Sequence, residues 1–476
     1  MGFAKVSGFP KAGVTNNDLT KAGFILAKDE DGNIKDPTEI AGINLEKFSM
    51  FFTKAYRLIY HKSDVFYRYT TVHAPIDDNM FSRILKAFLN RYTEYMWSET
   101  LDRKIKGECK VHFDRVEDFD TNKNILNLKS GLFDITTGEH TQHSPTHYST
   151  IQLPIKFDPN ADCPSFMKFL EQTFKGDEEL VNFTAQMMGY LLTAETKAEK
   201  AFLLLGSGSN GKSTLIKVIT ALVGKANTCN VPITELGNSF ARYSLLGKLV
   251  CACTENEKDG SNAVKSFGTG VFKALVSGDD VDIEIKNGAR FSITPTVKFL
   301  FAFNTLPTTK DSTHGFFRKI VIIPFNNIVD EDMKNPELPE ELKCELDGIF
   351  NFALRGLNEL RKNKYKFPVP AAVKRELAKY KSTVNSLIDY VKDNIEVCPD
   401  SKVKNKDLYE DYCIWADGED LLKKGREFIG RLKAALDNAN IKYEDDKDEG
   451  FAALKGIALK NPLASDGAEP DETYSV

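Results

Sequence analysis

Eight consecutive residues, Gly206-Ser207-Gly208-Ser209-Asn210-Gly211-Lys212-Ser213, fit the spacing G-x-x-x-x-G-K-[ST], with Thr214 directly after them. Each part of that spacing has a use at a phosphate. The glycines let consecutive backbone N–H groups curl around an oxyanion, and a helix starting where the loop ends adds positive potential. Lys212 can reach the β- and γ-phosphates of a nucleoside triphosphate such as ATP, and the Ser213 hydroxyl can ligate Mg²⁺. A glycine-rich turn without a ligand is the other reading. The flanks speak against it, because the apolar run Leu203 to Leu205 precedes the loop and "TLIKVITALVG" follows it with helical spacing.

A phosphate loop needs acids on a neighbouring strand if it is to hydrolyse anything. About forty residues on, the apolar run Leu249 to Cys253 reads as a buried parallel strand ending at Thr254-Glu255-Asn256-Glu257. Glu255, with Glu257 beside it, is placed to support Mg²⁺ and to polarise an attacking water. Acids after a strand are also common on solvated loops, so their weight comes from the phosphate loop. A third strand, "TVKFLFAFNTLP", closes on Asn304, an amide able to touch a γ-phosphate or the lytic water. A simple turn fits that position equally.

Two further basic features remain. In "THGFFRKIVIIPF", Arg318 and Lys319 precede another apolar strand. An arginine reaching a neighbouring subunit's nucleotide stabilises the transferring phosphoryl group and is worth about 10³ or more in rate. By spacing alone it is equally a surface arginine. Between the second and third strands, Asn287-Gly288 is a two-residue hairpin signal flanked by "VDIEI" and "ARFSI". The tip presents Lys286, with Arg290 on the returning arm, a basic pair suited to a phosphate backbone or simply to solvent.

The elements that must position these groups follow from patterning. Residues 201–330 alternate strand-like and helix-like pieces, which predicts an α/β unit with a parallel sheet. Residues 1–45 are rich in Gly, Lys, Asp and Asn and read as a loosely ordered segment. From Asn44 to Trp97 the spacing reads as helical, and from Lys110 to Pro154 as strand-like, giving a mixed α+β domain over 46–160. A helical lead-in opens the 161–330 ATPase-like unit, helices fill 331–395, and 396–460 reads as two helices and a strand pair. The last sixteen residues, 461–476, carry four acidic and no basic side chains and read as a disordered tail.

Composition sets outer limits. The 476 residues are 42% hydrophobic and 28% charged with a formal charge of −5, which excludes a uniformly basic coat but not a basic pore. No apolar run approaches the roughly 20 residues of a membrane span. Eight cysteines are scattered, and Cys251-x-Cys253 reads as thiols on alternate faces of a strand rather than a zinc knuckle. The expectation is a soluble cytoplasmic protein with reduced thiols.

The motifs in this order resemble superfamily 3 helicases, closest to the branch found at the C-terminal end of phage and plasmid primases and in poxvirus-type primase-helicases. "GSGSNGKST", "GKLVCACTENE", "FKALVSGDDVDIEIKNGARFSITP", "KFLFAFNTLP" and "GFFRKIVIIPF" carry the likeness. Upstream, "LFDITTGEHTQHSPTHYSTIQLPIKFDPNADCPSFMKFL" is similar to that family's lead-in domain, so the resemblance covers about residues 60–330. It implies an AAA+-like ATPase core using ATP and Mg²⁺ and assembling as a homohexamer. Lys212 and Ser213 would bind phosphate and metal, and Glu255 with Glu257 would activate water. Asn304 would act as sensor and Arg318 as a finger acting in trans. Lys286 and Arg290 would contact single-stranded DNA as the ring moves 3′ to 5′ and opens forked duplex, in the host cytoplasm if phage or virus encoded. A primase or polymerase is the implied partner.

Two departures stand out. The second motif has Glu-Asn-Glu instead of adjacent acids, and the hairpin's rising arm is acidic (Asp279, Asp280, Asp282, Glu284). The 396–460 segment resembles the winged-helix module appended to such helicases, with a helical packing domain as the alternative. Two rival functions compete with the motor. A primase would need a second acidic metal site, for which the N-terminal region offers only Asp77-Asp78. An ATP-gated origin-binding or loading module would unwind little.

Overall fold

A computed structural model describes residues 3–35, 38–112, 115–254, 268–284, 290–307, 309, 311, 313–328, 335–416 and 426–460. The chain divides into two compact units, Met1–Lys156 and Phe157–Val476. Among the described residues no helix is long and apolar enough to cross a membrane.

The first unit departs from its expected pattern in two places. Residues 3–44, expected to be loosely ordered, build a three-stranded antiparallel sheet in the order Phe3–Gly8, Ile40–Asn44, Phe24–Leu26. Ala4, Leu19, Phe24, Ile40 and Ile43 are buried with Phe48 and Phe88 in one core. The apolar positions there are few and separated by charged turns, so composition hid them. The helical spacing from Asn44 is also interrupted. The helix Leu45–Tyr56 stops at Arg57, which takes the left-handed conformation (φ 50°). Beyond it Leu58–His61, Phe66–Tyr69 and His73–Ile76 form an antiparallel meander, with alternate burial along Leu58–His61. Asp77 then caps a new helix, Asp78–Tyr92.

The second unit is built on a five-stranded parallel sheet. Its order is Thr228–Cys229, Val250–Thr254, Lys298–Phe303, Ala201–Leu205, Ile320–Pro324. The mixed α/β architecture with a parallel sheet is therefore as the sequence predicts. Lys298–Phe303 is buried along its whole length, as expected of a parallel strand covered on both faces. Cys251 and Cys253 are both buried in one core cluster. Residues two apart on a strand share a face, so these thiols do not sit on opposite sides.

Helices Leu346–Lys362 and Ala371–Asn394 follow the sheet. The described residues end in an antiparallel sheet in the order Ile395–Lys404, Phe451–Leu459, Glu444–Asp448. Its helices Asn405–Trp415 and Arg426–Asn438 share a separate core around Tyr390, Tyr412, Phe428 and Leu454.

Candidate functional site

The loop from Gly206 to Gly211 joins the strand Ala201–Leu205 to the helix Lys212–Val223. Tight backbone turns make the connection: Gly208 has φ 111°, Ser209 φ 50° and Gly211 φ 87°. Gly206 is required by crowding, because a Cβ there would lie 2.1 Å from Asn210 Nδ2 and 2.4 Å from the Phe325 carbonyl oxygen. Asn210 is the loop's internal strut. Its Nδ2 donates to the Phe325 carbonyl at 2.7 Å, and its Oδ1 accepts from Lys212 Nζ at 2.9 Å. Ser207, Ser209 and Ser213 are exposed at the mouth, with Thr214 half-buried behind them.

Lys212 is 5% exposed, and among the described residues its ammonium meets only neutral oxygens. It donates to the Gly206 carbonyl at 2.5 Å, to Asn210 and, at 3.4 Å, to Asn304 Oδ1. Burial pushes it below the ordinary lysine value. Among the described residues this desolvated cation has no carboxylate partner, which is costly, and an anion entering the loop would relieve that cost.

Parallel register brings Asn304 to the loop. Leu205 lies opposite Phe303 on one side and Pro324 on the other, so Gly206 and Asn304 leave adjacent strands at the same level. Thr254 pairs with Ala302 and ends the next strand over. Glu255 and Glu257, which come directly after it in sequence, lie outside the described residues, as does Lys286.

Arg318 is held elsewhere. It precedes the amino end of the edge strand Ile320–Pro324, which alone spans about 13 Å to the level of the loop. It is 57% exposed and 3.8 Å from Glu199, whereas the adjacent Lys319 is buried and pairs with Glu199 at 2.8 Å. The two cations next to each other in sequence thus differ, one free to reach outward and one built into the fold.

The hairpin pairs Val281–Glu284 with Arg290–Ile293 in the antiparallel register Glu284 to Arg290. Arg290 Nη2 meets Asp282 Oδ2 at 2.7 Å, so the acidic rising arm engages this cation directly. Sequence reasoning missed Arg242, which is buried and donates to the carbonyls of Asp282, Leu236 and Gly237 at 2.8–2.9 Å, bracing the hairpin's base. It also missed the ion pair Lys273–Asp311 at 2.7 Å. Burial alone would raise the Asp311 carboxyl, but hydrogen bonds from Lys273 and Thr313 hold it below its ordinary value. Both involve partners 38 or more positions away, beyond any local pattern. In the first unit, Asp77 accepts the Met80 N–H at 2.7 Å and so caps the helix Asp78–Tyr92, while Asp78 lies 3.3 Å from Lys106 of the helix Glu99–His112.

Two family models match the chain: "D5 N terminal like" over residues 56–175 and a family of unknown function, DUF5906, over 204–319. A putative helicase of Invertebrate iridescent virus 6 is 24% identical over 354 residues, covering 65% of this chain and 36% of the viral protein. A putative helicase of Acanthamoeba polyphaga mimivirus is 21% identical, covering 63% and 34%. The chain thus spans about a third of the length of these relatives. An apo structure of the NrS-1 C-terminal region aligns over 87% of this chain and 98% of its own, with 12% identity and a TM-score of 0.46. The two domain matches in this order, with viral putative helicases as relatives, support a phage or viral superfamily 3 primase-helicase family for this chain.

Proposed function

We propose that the chain is the helicase part of such a protein, an ATP-driven ring that moves 3′ to 5′ on single-stranded DNA and opens forked duplex. The observation that carries this reading is Lys212, a buried cation with neutral partners at a loop of turning amides, which fits a triphosphate. Asn304 shares that pocket's edge and would report on the γ-phosphate. Ser213, exposed at the helix start, would hold Mg²⁺ together with Glu255, and Glu255 or Glu257 would orient the lytic water. Bound Mg²⁺ would neutralise charge building on the phosphate oxygens. Arg318, distant from its own loop and exposed, would complete a neighbour's site, as expected of a homohexamer. Lys286 and Arg290 would meet the DNA backbone in the pore.

The domain scheme is part of the same proposal: a lead-in domain over 46–160, an AAA+-like P-loop ATPase over 161–330, helices over 331–395, and a winged-helix-like module over 396–460. The last draws support from three antiparallel strands interleaved with two helices around their own core. An acidic tail over 461–476, outside the described residues, completes it. A primase or polymerase partner and a host cytoplasmic setting belong here too.

A loading module with little unwinding is the second reading, favoured by the neutralised Arg290. Strand displacement on forked DNA separates the two. Wild type should unwind in the presence of ATP and Lys212→Ala should not. DNA binding without displacement by wild type would favour the loader.

A further inference from the structure

The hairpin is carried by one short helix, Thr269–Ser277, which ends at Gly278 (φ 77°) and leads into Val281 after two acidic residues. Most of its attachment is apolar. Phe272 and Leu275 are fully buried in the core of the parallel sheet, with Phe272 6.2 Å from Phe299 of the strand leading to Asn304 and 6.1 Å from Phe316 just before Arg318. Apolar packing is non-directional and holds position without specifying direction.

Two polar clamps supply direction. Midway along the helix, Lys273 reaches Asp311, seven positions after Asn304. The other Asp311 oxygen accepts the Thr313 N–H at 3.0 Å, at the start of the short helix His314–Phe317 that delivers Arg318. At the helix end, Ser277 Oγ accepts from the buried Lys319 at 2.5 Å, and Lys319 is also bound to Glu199, the carboxylate nearest Arg318. The helix that bears the hairpin is thus tied at one point to the sensor segment and at another to the arginine segment.

We propose that Lys273 and Lys319 are the coupling residues of this motor, the positioning contacts by which the helix Thr269–Ser277 turns changes at Asn304 and Arg318 into hairpin movement. This inference rests on the helicase reading above. Neither lysine belongs to the phosphate loop or to the hairpin arms. Each links a segment that ends at the nucleotide site, its own or a neighbour's, to the element that carries the DNA contacts.

The test compares ATPase rates with and without single-stranded DNA for wild type, Lys273→Met, Ser277→Ala and Lys212→Ala, each checked by thermal unfolding. Ser277→Ala removes one clamp's partner with minimal loss of volume, so it remains informative should Lys273→Met fail to fold. For Lys273→Met and Ser277→Ala the expected result keeps KM for ATP, basal kcat and DNA affinity within about twofold, while stimulation by DNA and strand displacement fall about tenfold. Lys212→Ala, the inactive control, loses hydrolysis altogether. The exchange Lys273→Asp with Asp311→Lys should recover part of the stimulation, which a merely structural contact would not require. Wild-type stimulation in both single variants overturns the coupling while leaving the helicase reading intact. A wild-type ATPase that ignores DNA overturns both.

Discussion

Lys212 shows how much a single residue's surroundings add to its identity. The spacing G-x-x-x-x-G-K-S made it a phosphate ligand on paper, but the same letters fit an empty turn. Burial of the ammonium among three neutral oxygens is what supports the proposed phosphate role over the empty turn, because such a cation is a liability without an anion. Lys212→Met should therefore leave the melting temperature of the nucleotide-free protein unchanged or raise it, while abolishing the rise that ATP gives the wild type. Differential scanning fluorimetry with and without nucleotide reads both effects. A fall of several degrees in the nucleotide-free variant would mean that Lys212 is held for stability. Asn210 was legible only as a loop letter. Its strut to the Phe325 carbonyl depends on a strand more than a hundred residues away, so no local spacing could have disclosed it.

At the scale of elements, legibility followed the strength of periodicity. The buried parallel strands are short apolar runs with clear ends, and they appear where the sequence places them. The hairpin likewise has alternating arms on either side of Asn287-Gly288. The N-terminal sheet and the meander after Arg57 were misread for one reason. Their short half-buried strands leave too few alternations to outweigh neighbouring helical spacing, and a left-handed residue such as Arg57 carries no warning in its side chain. The hairpin's ion pair is also a property of the element, since antiparallel register sets Arg290 near Asp282. If Arg290 serves DNA only when released, Asp282→Asn should raise affinity for a single-stranded oligonucleotide about two- to tenfold and steepen its salt dependence. Fluorescence anisotropy across a salt series would show this, and unchanged affinity would leave the DNA contact to other groups.

The whole molecule is where one chain's sequence says least. The order of motifs pointed to the family resemblance, but the proposed ring is a relation between copies, and the proposed role of Arg318, at the far end of the sheet from its own loop, requires a second subunit. The central claim is that neighbouring copies share each ATP site. Its most direct test mixes two inactive proteins, Lys212→Ala and Arg318→Ala, and measures ATP hydrolysis with single-stranded DNA present. If Arg318 acts in trans, random assembly gives about a quarter of the interfaces an intact Lys212 facing an intact Arg318, and a comparable fraction of wild-type activity should return. A mixture as inactive as either protein alone, in assemblies shown to exchange subunits, would contradict the account.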